Sequence, residues 1–161
     1  MKQDEPSVGT GSVVVGVDGS PGARTALDRA LREAARLSAP VVAVMAYDPP
    51  DLWAMELGAL PLDVAEIARE VQKNTQQAVD EAVARAREEG VTVGEVRVVA
   101  AAGSAADVLC RVARDAELLV VGHRGRGAFA SRLIGSVGLG VVVHATCPVL
   151  VVRPVGAATG T

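Results

Sequence analysis

The run Gly122, Gly125 and Gly127, followed by Gly135-Ser136, is the part of this 161-residue chain best equipped for chemistry. Glycines carry no Cβ, so the backbone can turn sharply there and present N–H groups to an anion. Ser136 stands where a helix is expected to begin, and the unpaired N–H groups of a helix start favour phosphate. Its hydroxyl adds one more donor. Two anion cradles therefore lie on one loop. The pattern lacks the Gly-Lys-Ser/Thr of a P-loop, and a dinucleotide fingerprint would follow the first strand instead. Arg124 and Arg126 suit phosphate contact and plain solvent exposure equally. Asp18, before Gly19-Ser20, suits either a turn or contact with a ligand. His123 shares the glycine loop but has no orienting partner, and His144 reads as structural within a helix. Cys110 reads as a small core residue and Cys147 as an inert thiol.

Charge supports an anionic ligand rather than a polyanionic partner. The net charge is −3, yet no acidic residue follows Glu117. Arg124, Arg126, Arg132 and Arg153 give the last 44 residues +4, while 12 basic against 19 acidic residues leave the first 117 at −7. A positive field inside an acidic chain fits a small anion and argues against nucleic acid. Chance clustering of surface arginines gives the same numbers. Two cysteines cannot build a disulfide framework or a four-ligand zinc site. The start MKQDEPSVGTG has no apolar signal region and no apolar run spans a membrane, so a cytoplasmic domain is expected.

The elements that must position these residues alternate. Valine-rich runs at 12–18, 41–47, 95–101, 118–122 and 148–153 read as strands, the third more exposed because of Glu95 and Arg97. Ser20-Pro21 opens a helix with Ala26, Leu27, Ala30, Leu31, Ala34 and Leu37 on one stripe. Residues 62–89 form the longest helical pattern, with Val64, Ile67, Val71, Ala78, Val79, Ala82, Val83 and Ala86 on its stripe and Gly90 as C-cap. Further helices are expected from Ser104 through Asp115 and from Ser136. Alternating βα units imply a single α/β domain over 12–154, with an open parallel five-stranded sheet and helices on both faces. The tails 1–11 and 155–161 read as frayed, and 48–61 as a long loop carrying Trp53, Met55 and Leu57. Ligands of such sheets bind beyond the carboxyl ends of the strands, which puts Asp18, Ala46 to Asp48, Ala102 to Ser104 and the loop after Gly122 in view.

Gly122-x-x-Gly125, nine residues, then Gly135-Ser136 resembles the ATP-binding signature of the universal stress protein family. VVVGVDGS near the start, GSAADVLCRVARDAELLVVGHRGRG in the middle and CPVLVVRP at the end are similar to that family in the same order, over about 12–154. The resemblance implies a Rossmann-like sheet of order 3-2-1-4-5, ATP with Mg²⁺, and a homodimer paired along Val149, Leu150, Val151 and Val152. It implies Asp18 near ribose or a phosphate-bound metal, and the Ala46 backbone at adenine. Gly122 and Gly125 match the ribose and phosphate loop, and Gly135, Ser136 and the Val137 N–H match the triphosphate cradle.

The expected function is an adenine-nucleotide-binding regulatory protein of the stress response, acting on a protein partner. Fast hydrolysis needs a residue that positions water, and the 122–137 loop has no carboxylate; at most a slow ATPase is expected. The alternative is a dimeric scaffold whose nucleotide site is vestigial. An ATP-pyrophosphatase would need Ser-Gly-Gly-x-Asp-Ser after the first strand, where this chain has Val-Asp-Gly-Ser-Pro-Gly. A phosphoreceiver would need an acidic cluster and a placed lysine, and Lys2 and Lys73 are elsewhere.

Overall fold

Five short strands, four of them rich in valine, line up in parallel because their side chains are wanted on both faces. The computed structural model describes residues 11–48, 64–125 and 134–154. Arg126, Trp53, Met55, Leu57 and the two tails lie outside the described residues. The chain runs β1 (Val13–Gly16), α1 (Pro21–Leu37), β2 (Val41–Tyr47), α2 (Val64–Glu88), β3 (Val96–Ala102), α3 (Ala105–Val112), β4 (Leu118–Gly122), α4 (Ser136–His144) and β5 (Val149–Val152). The sheet order is β3-β2-β1-β4-β5, every pair parallel. β1 is central, with Val13 opposite both Val41 and Leu118.

Alternation along each strand divides the core into two layers. Val13, Val15, Val41, Ala43 and Val120 pack under α1 and α2. Val14, Val42, Val44, Leu119 and Val121 pack under α3 and α4. α1 begins as its sequence dictates: Ser20 is the N-cap, its Oγ accepting the Ala23 N–H at 3.1 Å, and Pro21 occupies the first turn. Leu37 is exposed rather than part of the stripe, because the helix ends there at the left-handed Ser38.

Three expectations shift. On α2, Ala78 is exposed and Thr75 is buried in its stead, because the stripe that meets the sheet runs Thr75, Val79, Ala82 and Ala86. α3 stops at Val112, three residues short of Asp115: Ala113 caps it through the Leu109 carbonyl, and the chain turns into β4. His144 is exposed at the last turn of α4, so its ring lies outside the core. The greater exposure read from Glu95 and Arg97 holds, since β3 closes one side of the sheet and both residues are exposed.

Candidate functional site

The chain leaves β1 for α1 and β2 on one side of the sheet, and returns for β4 and β5 on the other. The strand order reverses between β1 and β4, and there the loops diverge and leave a crevice. A cavity of about 440 Å³ opens at this point, at the carboxyl ends of β1, β2 and β4.

Its first wall is the β1–α1 turn. Asp18 Oδ1 accepts the Ser20 N–H at 2.9 Å, an Asx turn that passes through Gly19 at φ +78°. The turn reading of Asp18 therefore holds, and the residue also lines the cavity. Its second oxygen faces the glycine loop: a Cβ on Gly125 would stand 2.8 Å from Asp18 Oδ2 and would push the carboxylate aside.

The second wall is the loop after β4. A Cβ on Gly122 would stand 2.7 Å from the carbonyl carbon of Gly22, and one on Gly22 would overlap the Arg124 carbonyl oxygen. Backbone thus packs on backbone between α1 and this loop. Because the peptide is trans and planar, an Arg124 carbonyl turned towards α1 sends the Gly125 N–H away from α1. Gly22 supports the site from behind the loop, a role that the motifs did not reveal; its signal is a glycine in the first turn of a helix, where helix propensity disfavours it.

The third wall is the start of α4. Gly135 is the N-cap with φ −71° and ψ 162°, its N–H held by the His123 carbonyl at 2.9 Å. The first intrahelical bond runs from the Leu139 N–H to the Gly135 carbonyl at 2.9 Å, and among the described residues no side chain caps this end. The N–H groups of Ser136, Val137 and Gly138 accordingly have no intrahelical acceptor, and all three residues line the cavity. Their partial positive charge adds to the helix dipole.

The remaining wall is apolar: Val17, Val44, Met45, Leu109, Val121 and Val137. The structure thus gathers Asp18, Ala46, Gly122, Arg124, Gly125, Gly135, Ser136 and Val137 around one cavity, with Tyr47 and Asp48 beside Ala46. Gly103 and Ser104 are not in its wall, although the next residue, Ala105, is. His123 serves through its backbone, donating to the Val152 carbonyl at 2.7 Å, and its ring does not line the cavity. Among the described residues no cluster of three or more His, Cys, Asp or Glu is placed to hold a metal, and no helix is long and apolar enough to cross a membrane.

The family model described as the universal stress protein family matches residues 10–153. The chain belongs to the universal stress protein family. A universal stress protein of Mycobacterium tuberculosis is 32% identical over 143 residues, covering 88% of this chain and 47% of its own length. One from Mycolicibacterium smegmatis is 34% identical over 142 residues, 88% of this chain and 45% of the relative. The chain therefore spans about half the length of the curated universal stress proteins it matches. Among solved structures, a universal stress protein in complex with cAMP is 27% identical with a TM-score of 0.59, covering 89% of this chain and 97% of the other. The universal stress fold accounts for the sheet order and for the crevice at its reversal.

Proposed function

We propose that this chain binds ATP, with Mg²⁺ on the phosphates, and acts as a nucleotide-responsive regulatory protein of the cytoplasm. The observation that carries this reading is the meeting of three helix N–H groups without intrahelical partners and a glycine loop around one cavity of about 440 Å³. That volume is in the ordinary range for small-ligand sites. The uncapped start of α4 favours phosphate, and the apolar wall with the Ala46 backbone at the end of β2 suits a purine ring. Arg124 stands at the same wall, and Arg126 follows it in sequence. Asp18 and Asp48 are the carboxylates of the cavity wall, and either suits a phosphate-bound Mg²⁺, whose chemistry there is to neutralise phosphate charge. The relative solved with cAMP supports an adenine nucleotide as the ligand class.

Titration calorimetry on nucleotide-stripped protein tests the reading with MgATP, ADP, AMP, cAMP and adenosine in turn. The expected result is micromolar binding of ATP that weakens as phosphates are removed. Equal affinity for adenosine and ATP, or no binding of either, overturns it. Turnover of ATP is expected below about 1 s⁻¹, because the 122–137 loop has no carboxylate to serve as a general base for water.

A second reading, a homodimeric scaffold, rests on a different observation. β5 ends the sheet with Val149, Leu150, Val151 and Val152 only half-buried, and Leu139, Val142 and Val143 of the neighbouring α4 are exposed. An apolar edge of this kind fits pairing with a second copy. Loss of nucleotide binding with an unchanged cellular phenotype would favour the scaffold.

A further inference from the structure

A parallel sheet of five strands has two edges, and they are finished differently. On β3 the bonding parity is fixed at both ends: the Val41 N–H donates to the Glu95 carbonyl and the Gly103 N–H to the Tyr47 carbonyl, each at 2.9 Å. Odd-numbered residues of β3 thus bond inward to β2, and Val96, Val98, Ala100 and Ala102 turn their N–H and C=O groups outward. Among the described residues no strand lies beyond them. Gln72 of α2 reaches this edge. Its Nε2 donates to the Val98 carbonyl at 2.8 Å, and its Oε1 accepts the Ala100 N–H at 3.0 Å.

That pair of bonds has a specific meaning. In a parallel ladder a residue opposite position j donates to the carbonyl of j−1 and accepts from the N–H of j+1. Gln72 makes both bonds around Val99, with one primary amide in place of a peptide unit. The residue also stands on the stripe of α2 that faces the sheet, three positions before Thr75, where packing alone calls for an apolar side chain. A carboxamide carries a donor and an acceptor on two atoms of one planar group, as a peptide unit does. Beside it a groove of about 720 Å³ opens between α2 and the edge, lined by Lys73, Gln76, Asp80 and Ala100. At the far edge Val149 and Val151 face outward by the same parity, since the Leu119 and His123 N–H groups bond to Pro148 and Val152, and among the described residues no strand or side-chain amide covers them.

We infer that Gln72 occupies the β3 edge as a one-residue stand-in for a sixth strand and bars a second copy of this chain from adding there. Exposed edges are templates for strand addition, and a satisfied pair of groups in the middle of the edge breaks the template. Edge-to-edge association is thereby left to β5. The inference does not depend on what the cavity binds.

Hydrogen exchange and light scattering test it together. In the wild-type protein the Ala100 amide is expected to exchange about tenfold more slowly than the Val98 and Ala102 amides, which also face outward but lack the carboxamide. Gln72→Met keeps the length and helix propensity of the side chain and removes both bonds. It is expected to erase the Ala100 protection and to add a larger, concentration-dependent species on multi-angle scattering. Adding Ala100→Pro, which deletes the outward N–H at an edge position where proline is tolerated, is expected to return the wild-type mass. Wild-type Ala100 exchanging as fast as its edge neighbours overturns the inference without any variant. So does a folded Gln72→Met protein that loses Ala100 protection yet keeps the wild-type mass.

Discussion

Gly135→Asp should separate folding from phosphate binding, because the structure gives the two effects opposite signs. Gly135 has the extended backbone of an N-cap, open to any residue, and a Cβ there would stand no closer than 3.5 Å to its nearest neighbour, the His123 carbonyl oxygen. The aspartate carboxylate can then accept the N–H groups of Val137 or Gly138, which no side chain caps. Aspartate exceeds glycine at an N-cap by a few tenths of a kcal/mol, and its charge on the helix dipole adds about 0.3–1. The melting temperature is expected to hold or rise by about 1–4 °C. Binding moves the other way, since the new charge occupies the place proposed for phosphate. Two like charges about 4 Å apart at an effective dielectric of about 20 repel by about 4 kcal/mol. Screening at this half-exposed mouth leaves about half of that, so MgATP affinity is expected to fall by about 30-fold. Gly135→Asn takes the same donors without the charge and is expected to lose about tenfold. Adenosine affinity stays unchanged in both. Calorimetry with ATP and adenosine, beside a thermal melt, reads all of this. A folded Gly135→Asp protein that binds MgATP like the wild type would falsify the placement of phosphate at α4.

Three further outcomes follow from the geometry. Gly122→Ala drives a methyl group into the backbone of Gly22 and Ala23, so a loss of about 1–3 kcal/mol is expected in denaturant unfolding; a stability equal to wild type would contradict the close α1 contact. Ser20→Ala removes the N-cap bond to Ala23 and is expected to cost about 1 kcal/mol, read by the same unfolding curve, with a null effect arguing against the cap. Burial pushes the thiols of Cys110 and Cys147 up, with the Asp107 carboxylate adding to the first. Raised thiols stay protonated in the fold while the unfolded chain ionises, so this contribution is whole below the ordinary thiol range and is lost as pH climbs through it. A Cys110→Ala/Cys147→Ala double variant should flatten the alkaline loss of stability, and iodoacetamide should label the wild-type thiols more slowly than a free cysteine at pH 8.

Much of the fold is legible in the sequence because its signals are local. Valine runs with little polar interruption mark strands buried on both faces, Ser20-Pro21 marks the start of α1, and Gly90 the end of α2. The errors are of a different kind. Ala78 and Thr75 lie three positions apart on α2, and only the angle at which that helix crosses the sheet decides which one is covered. Asp115 has good helical neighbours, yet the chain must turn at Ala113 to reach β4.

The same division holds at the site. Sequence alone determined that a glycine loop and a glycine-capped helix start occur in one stretch of about 15 residues, because backbone freedom and cap preference belong to single residues. It also offered Asp18 as a turn residue, a contact two residues long. Tertiary structure alone decided that Gly22 must be glycine, since its need comes from the Arg124 carbonyl about a hundred residues away. It alone set Gln72 against Val98 and Ala100, a pairing between a helix and a strand edge with no pattern in the chain to announce it. Propensities and caps act over a few residues and are written in order; close approach depends on how distant segments pack, and only the folded chain brings them together.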